Sequence, residues 1–172
     1  MSSDKSGARS LYLVHESAIE EQNDAAVLAD PVLQKHIRMI NLNLDFIDQV
    51  LRTHTHSSTD ELMVLRLAVR CFNSGAAALR LARLGYYNQC LSLIRDIIET
   101  ALLLDLFGRE PSAIAEWYTI SPDERQKKFG AIRVRLRLEK IEEREGKTPL
   151  SRAETYKRFC TYGTHASPRV SS

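Results

Sequence analysis

The chain has 172 residues, of which 44% are hydrophobic and 27% are charged, and its formal net charge is +2. This length and composition exclude a disordered or low-complexity chain and predict a globular protein with a core of its own. The near-neutral balance excludes recognition of a partner through bulk charge, so a nucleic-acid interface would need a local basic cluster. We expect one domain over residues 11–165, between a disordered polar start (1–10) and a flexible tail (166–172).

The three cysteines, Cys71, Cys90 and Cys160, lie within apolar helical pattern and show no metal-ligand spacing. Small buried thiols of this kind are typical of a reducing compartment. The start of the chain has no apolar leader, and no apolar run reaches the roughly 18 residues of a membrane span. The sequence therefore predicts a cytoplasmic protein without membrane contact, bound metal or cofactor.

In chain order, residues 11–14 are too short a patch to classify, and a short helix is predicted over residues 16–29. Asp30 and Pro31 open the first long helix as N-cap and first helical residue. Apolar residues then recur at alternating steps of four and three from Leu33 to Leu51, which is typical of one helix face. This helix is predicted to end near Thr53.

Residues 61–107 predict a long helical hairpin that turns at Gly85. Ser58 and Glu61 form a capping box before its first helix. A run of small residues, 74–78, places Gly75 in the middle of that helix at a cost of about 1 kcal/mol. We expect a neighbouring helix to approach closely there. The second helix of the hairpin is predicted to be buried nearly all round and to end near Phe107, before Gly108.

The C-terminal part opens at a second capping box, Ser121 to Glu124. Residues 132–138 alternate as a strand would, but we predict a helix because of this box, the helix formers that follow and the lack of a partner strand. A last helix is predicted from Ser151 and carries Tyr156. The predicted fold is therefore all-α, an up-and-down bundle of four to five helices around the long central hairpin.

A narrow polar line crosses the apolar second helix of the hairpin at Asn88, Ser92, Arg95 and Glu99. One interpretation is a structural ion pair between packed helices, because an unpaired buried charge is costly. The other is a ligand-binding pocket formed by Arg95, Glu99 and Ser92, in which Arg95 binds a phosphate or carboxylate.

For two further clusters of polar residues we expect a solvated surface and not a functional site. His54 and His56, near Asp60 and Glu61, offer metal-ligand chemistry, but their spacing favours a solvated loop. A basic stripe over residues 127–144 includes Arg133 and could follow a phosphate backbone. Because glutamates are interleaved with it, we expect a solvated helix face with ion pairs.

Arg158 and His165 form the candidate catalytic pair. A histidine can act as a general acid or base near neutral pH, and an arginine can stabilise a developing phosphorane charge. Together they could cleave RNA without metal, with the 2′-OH as nucleophile. An arginine and a histidine this close in sequence also occur by chance, so the spacing alone leaves this hypothesis open.

The segments GYYNQCLSLIRDIIETALLLDLF (85–107) and YKRFCTYGTHASP (156–168) give the chain a resemblance to the HEPN superfamily. The resemblance covers roughly residues 35–168 and is nearest to an uncharacterised bacterial helical branch. It implies an up-and-down bundle, often dimeric. It also implies, in many members, a metal-independent ribonuclease of toxin–antitoxin or phage-defence systems with an Arg-x(4–6)-His motif, whose spacing Arg158 and His165 match.

From these patterns we expect a HEPN-like homodimer that acts as a non-catalytic module and binds a partner protein or a small ligand. The alternative is a ribonuclease that acts on RNA through Arg158 and His165. Phe159 follows Arg158 where the family's motif favours a polar residue, which favours the non-catalytic interpretation.

Overall fold

The computed structural model describes residues 11–147, 152–154 and 156–157. The helices of the first range are α1 (Leu11–Ala29), α2 (Pro31–Thr53), α3 (Thr59–Arg83), α4 (Tyr87–Arg109), α5 (Ser112–Thr119), α6 (Pro122–Phe129) and α7 (Ala131–Arg144). The described residues from 152 onwards are also helical, and no strand occurs in any of the three ranges. The predicted all-α fold is confirmed, including a helix at residues 132–138. The predicted disordered start and flexible tail lie outside these ranges.

Three predicted helix starts, at Asp30, Ser58 and Ser121, are confirmed by their hydrogen bonds. The start predicted at Ser151 lies outside the described residues. The Asp30 carboxylate accepts from the backbone N–H groups of Val32 and Leu33 at 2.7 and 3.3 Å. Ser58 Oγ accepts from the Glu61 N–H at 3.2 Å, and Ser121 Oγ accepts from the Glu124 N–H at 3.3 Å. These contacts satisfy donors that the first turn of a helix otherwise leaves without a partner.

The hairpin of α3 and α4 turns through a glycine in the left-handed region. Gly85 has φ +85°, which a residue with a side chain rarely adopts. The Tyr86 N–H donates to the Leu81 carbonyl at 2.9 Å, and the Gly85 N–H donates to the Ala82 carbonyl. This is the Schellman arrangement that ends a helix and lets the chain reverse.

Three predicted helix boundaries are wrong. α1 begins at Leu11 and not at residue 16. α4 continues through Gly108 to Arg109, because nothing at Gly108 requires a turn. The helix predicted after Ser121 divides at Gly130, whose ψ of 148° is extended. A Cβ at Gly130 would lie 2.7 Å from the Gln126 carbonyl oxygen, so this break requires glycine. The described residues therefore hold more helices than the four to five predicted.

The hydrophobic core lies among α3 to α7, and no residue of α2 is buried. Its buried members include Leu67, Leu102, Leu103, Leu106, Phe107, Ile114, Phe129, Val134 and Leu138. Burial along α4 is concentrated in its second half, so the prediction that α4 is buried nearly all round is wrong for its first half. α1 and α2 form an outer layer on this core.

The outer layer is held by close packing and by ion pairs. A Cβ at Gly75 would lie 3.0 Å from Leu44 of α2, which explains the glycine in the middle of α3. Asp24 of α1 pairs with Arg83 through two hydrogen bonds of 2.6 and 2.9 Å. The Asn23 side chain donates to the Arg83 carbonyl at 2.9 Å, so α1 covers the end of α3.

Among the described residues, α3 is long and apolar enough to cross a membrane by length and composition, which the sequence analysis did not expect. The core helix of a soluble protein meets the same criterion. In this structure α3 packs against α1, α2, α4 and α5. It also carries Arg70 near its middle, paired with Asp96 of α4.

Candidate functional site

A cavity of about 800 Å³ lies where α3 to α7 meet Tyr156. Among the described residues, four arginines line it, namely Arg70, Arg95, Arg125 and Arg133, and Glu99 is the one acidic lining residue. Four positive charges and one negative charge give this wall a formal charge of +3. We call it the arginine cavity. Its apolar surface comes mainly from Leu67, Leu103, Trp117, Phe129 and Ile132.

Arg95 and Glu99 form the centre of one wall. Arg95 Nε donates to Glu99 Oε1 at 2.8 Å, and the same oxygen accepts from the Tyr156 hydroxyl at 2.7 Å. The Arg95 guanidinium also lies over the Tyr156 ring, 5.8 Å from its centroid. The hydrogen bond to Glu99 raises the pKa of Arg95. Arg95 therefore has a defined orientation and still carries further N–H groups.

Tyr156 reaches this wall because Arg152, one turn earlier, is anchored to the core. Arg152 Nη1 and Nη2 donate to the two carboxylate oxygens of Glu142 at 2.6 and 2.7 Å. Arg152 Nη2 also donates to Asp105 at 2.9 Å. Residues four apart on a helix share a face, so the anchor at Arg152 sets the position of Tyr156.

Arg70 and Asp96 join α3 to α4 at the edge of the cavity. Arg70 Nε lies 3.0 and 3.1 Å from the two Asp96 oxygens, and Nη2 makes a further short contact. The buried Ser74 donates its hydroxyl to Asp96 at 2.8 Å. The hydrogen bond from Arg70 lowers the pKa of Asp96 below its ordinary value, so this carboxylate stays ionised and Arg70 stays paired.

Arg125 stabilises the connection between α5 and α6 through hydrogen bonds. Its Nε donates to the Trp117 carbonyl at 2.8 Å, and its Nη2 donates to the Ile120 carbonyl at 3.1 Å. Its guanidinium lies 5.3 Å from the centroid of the Trp117 ring. No salt bridge of Arg125 occurs within the part of the chain that the structure describes, so its positive charge is not neutralised there by an acid.

Arg133 differs from the other three arginines in its contacts. Its side chain is exposed, and no ion pair of Arg133 occurs within the described residues. It lies in the first turn of α7, directly after the break at Gly130. The break therefore brings an arginine without an acidic partner to the cavity.

The sequence analysis identified part of this site. Arg95 and Glu99 line the cavity, whereas Ser92 does not and instead donates to the Asn88 carbonyl at 3.1 Å. Arg70, Arg125 and Tyr156 were missed as site residues. Arg133 was noted only as part of the basic stripe. Since these residues come from separate helices, no local spacing indicates that they meet.

Arg158 and His165 lie outside the described residues, so the ribonuclease hypothesis stays a prediction. The stripe on α7 is partly paired, as expected. Arg135 lies 3.5 Å from Glu139, and Arg137 pairs with Glu110. In the described part of the chain, no three histidines, cysteines or carboxylates are grouped to hold a metal, and His54 and His56 are exposed.

No family model matches the chain, and neither a curated protein nor a solved structure matches it. The resemblance to the HEPN superfamily therefore stays a prediction.

The pairing of Asp96 with Arg70 predicts a pH-dependent loss of stability. Asp96→Asn should lower the free energy of unfolding at neutral pH by about 1 kcal/mol, a small value because Arg70 is largely exposed. The pKa of Asp96 is lower in the folded protein than its ordinary 3.8. The stabilisation that ionised Asp96 gives is therefore present above pH 3.8. It is lost as the pH falls through the lower pKa that Asp96 has in the folded protein. Urea unfolding of both proteins should show their difference shrinking towards zero in acid.

Glu143→Gln is the matched control, because Glu143 is exposed on α7 and is not in a salt bridge of the described residues. It should change stability little at any pH. A difference between wild type and Asp96→Asn that stays constant into acid would contradict the ionised pairing of Asp96 with Arg70.

Proposed function

We propose that the protein is a non-catalytic binding module whose arginine cavity holds a small molecule with a phosphate or carboxylate group. One observation carries the proposal. Of the described residues, four arginines and a single glutamate line a concave site of about 800 Å³, a volume within the usual range of ligand pockets. Guanidinium groups match phosphate and carboxylate in shape and bind both through paired hydrogen bonds.

The surroundings of Arg95 and Glu99 support a ligand site over a purely structural ion pair. A structural pair would be packed between helices with no cavity beside it. This pair instead adjoins the cavity, and about a third of each side chain is exposed. Glu99 already accepts from Arg95 and Tyr156, so its charge is largely compensated and repels an anionic ligand less.

The four arginines divide into two groups by their contacts. Arg125 is held by backbone carbonyls and supplies a fixed positive charge, whereas Asp96 compensates the charge of Arg70. Arg95 and Arg133 have donors that these contacts do not use, so we assign them direct contact with the anionic group. The apolar part of the ligand would lie against Leu67, Leu103 and Ile132.

Titration calorimetry with pyrophosphate and with citrate tests this function and separates phosphate from carboxylate ligands. At least one probe should bind the wild type. Arg133→Ala should weaken that binding about tenfold or more, because a hydrogen bond to a charged group is worth about 1.5–3 kcal/mol. Since Arg133 is exposed and takes part in no described ion pair, the variant should fold normally.

Lys140→Ala is the matched control. Lys140 lies two turns further along α7, is exposed and does not line the cavity, and its substitution removes the same charge. Absence of binding of both probes to the wild type would contradict the proposal. Equal weakening by Arg133→Ala and Lys140→Ala would also contradict it, because it would indicate a general charge effect.

We also propose that the protein is cytoplasmic. Cys71 and Cys90 are free thiols, and burial raises the pKa of both, as suits unreactive thiols in a reducing compartment. The ion pairs of α3 favour a core helix over a membrane span. Fractionated cells should yield the full chain in the soluble fraction without detergent. Recovery with the membranes would contradict this location.

A further inference from the structure

α2 carries a second apolar face that none of the described helices covers. Its inner face packs on α3, where Leu44 meets Gly75. On the outer face Val32, Met39, Leu42 and Phe46 are 58%, 62%, 59% and 65% exposed. Large apolar side chains clustered on one exposed helix face are typical of an interaction surface.

The outer face has the spacing of a coiled-coil seam. Steps of three and four residues relate its successive members, Val32, Lys35, Met39, Leu42, Phe46 and Gln49, which we call the outer stripe. This is the heptad pattern with which one helix packs along another. The centre of the stripe, from Met39 to Phe46, is apolar, with Lys35 on one side and Gln49 on the other, and Val32 begins the stripe. A partner helix of about the same length would match it.

We propose that the outer stripe binds the outer stripe of a second copy of this chain, antiparallel and across a two-fold axis. Centring the axis between Ile40 and Asn41 puts Met39 opposite the partner's Leu42. Lys35 then lies opposite the partner's Phe46, where its stem covers the ring and its ammonium group lies near the ring face. Val32 lies opposite the partner's Gln49, and this pair forms each end of the interface.

Charge complementarity identifies a second copy as the occupant. Arg38 and Asp45 flank the centre of the stripe on the same side, both exposed. Neither forms an ion pair within the described residues. Seven residues, or about 10 Å along the helix, separate them, too far for a contact within one copy. In the antiparallel arrangement Arg38 meets the partner's Asp45, and two-fold symmetry repeats the pair.

The available area fits a dimer at the lower end of the standard size. The four exposed apolar side chains offer roughly 100 Å² each. Lys35 and Gln49 of the stripe and the flanking Arg38 and Asp45 add comparable area per side chain. Each copy can therefore bury the roughly 600 Å² that the smaller specific interfaces need.

Charge reversal at the two flanking positions tests this arrangement, with sedimentation equilibrium at low salt as the measurement. Arg38→Glu places a new carboxylate against the partner's Asp45 twice, and Asp45→Arg likewise places two guanidinium groups together. Each variant should raise the dimer Kd about tenfold or more. The double variant Arg38→Glu/Asp45→Arg restores opposite charges across the axis and should return the Kd to within a few-fold of the wild type.

Arg66→Glu, on an exposed position of α3 away from the stripe, is the control and should leave the Kd unchanged. Met39→Glu should abolish the dimer, with circular dichroism to confirm that the variant is folded. A wild type that stays monomeric at all concentrations would overturn the proposal, as would a double variant as weak as the single ones. Failure here would leave the arginine cavity unaffected, because α2 does not line it.

Discussion

Glu142 lies on α7 with 3% of its side chain exposed, and its charge must be compensated where it lies. Arg152, itself only 10% exposed, forms two hydrogen bonds with both carboxylate oxygens, and Arg109 of α4 approaches to 3.4 Å. This pairing ties the helical residues after position 151 to α4 and α7. Tyr156 follows four residues later and closes one wall of the arginine cavity. The composition of the site thus depends on a buried ion pair outside it.

The cavity is also a product of how the core helices are joined. α3 and α4 pack through the Gly85 turn and through Asp96, which binds Arg70 and Ser74 of the neighbouring helix. The glycine at position 130 stops α6 and starts α7 at a different angle, and so brings Arg133 to the site. Apolar packing builds the frame, while the paired charges determine which arginines are fixed and which remain available to a ligand.

Sequence reasoning succeeded where the structure is local. Asp30, Ser58 and Ser121 cap helices because their side chains bond to backbone groups two or three residues away, which spacing alone predicts. Sequence reasoning failed at Gly130. A glycine inside a helical pattern does not by itself predict a break, so the end of α6 at this residue could not be predicted without its spatial neighbours. Ser92 was grouped with Arg95 and Glu99 by helical angle. The cavity, however, meets α4 only between Arg95 and Leu103 among the described residues, one turn beyond Ser92.

Long-range charge pairing could not be read from the sequence at all. Arg152 and Asp105 are 47 residues apart, and Arg70 and Asp96 are 26 apart. Each residue by itself fits a solvated helix face. Only the packing of α3, α4 and α7 shows that these charges meet, and that Arg152 and Tyr156 share a face directed at the core.

The dependence of the site on the buried pair is tested most directly by a double-mutant cycle on Arg152→Met and Glu142→Gln, with the free energy of unfolding as the measurement. Arg152→Met removes two hydrogen bonds to the buried carboxylate of Glu142 and should cost about 3 kcal/mol. Adding Glu142→Gln to it should cost little more, because the charge that needed a partner is gone. Strong coupling between the two substitutions is therefore predicted. Additive losses would contradict the account, because Arg152 would then not hold the wall of the cavity through Glu142.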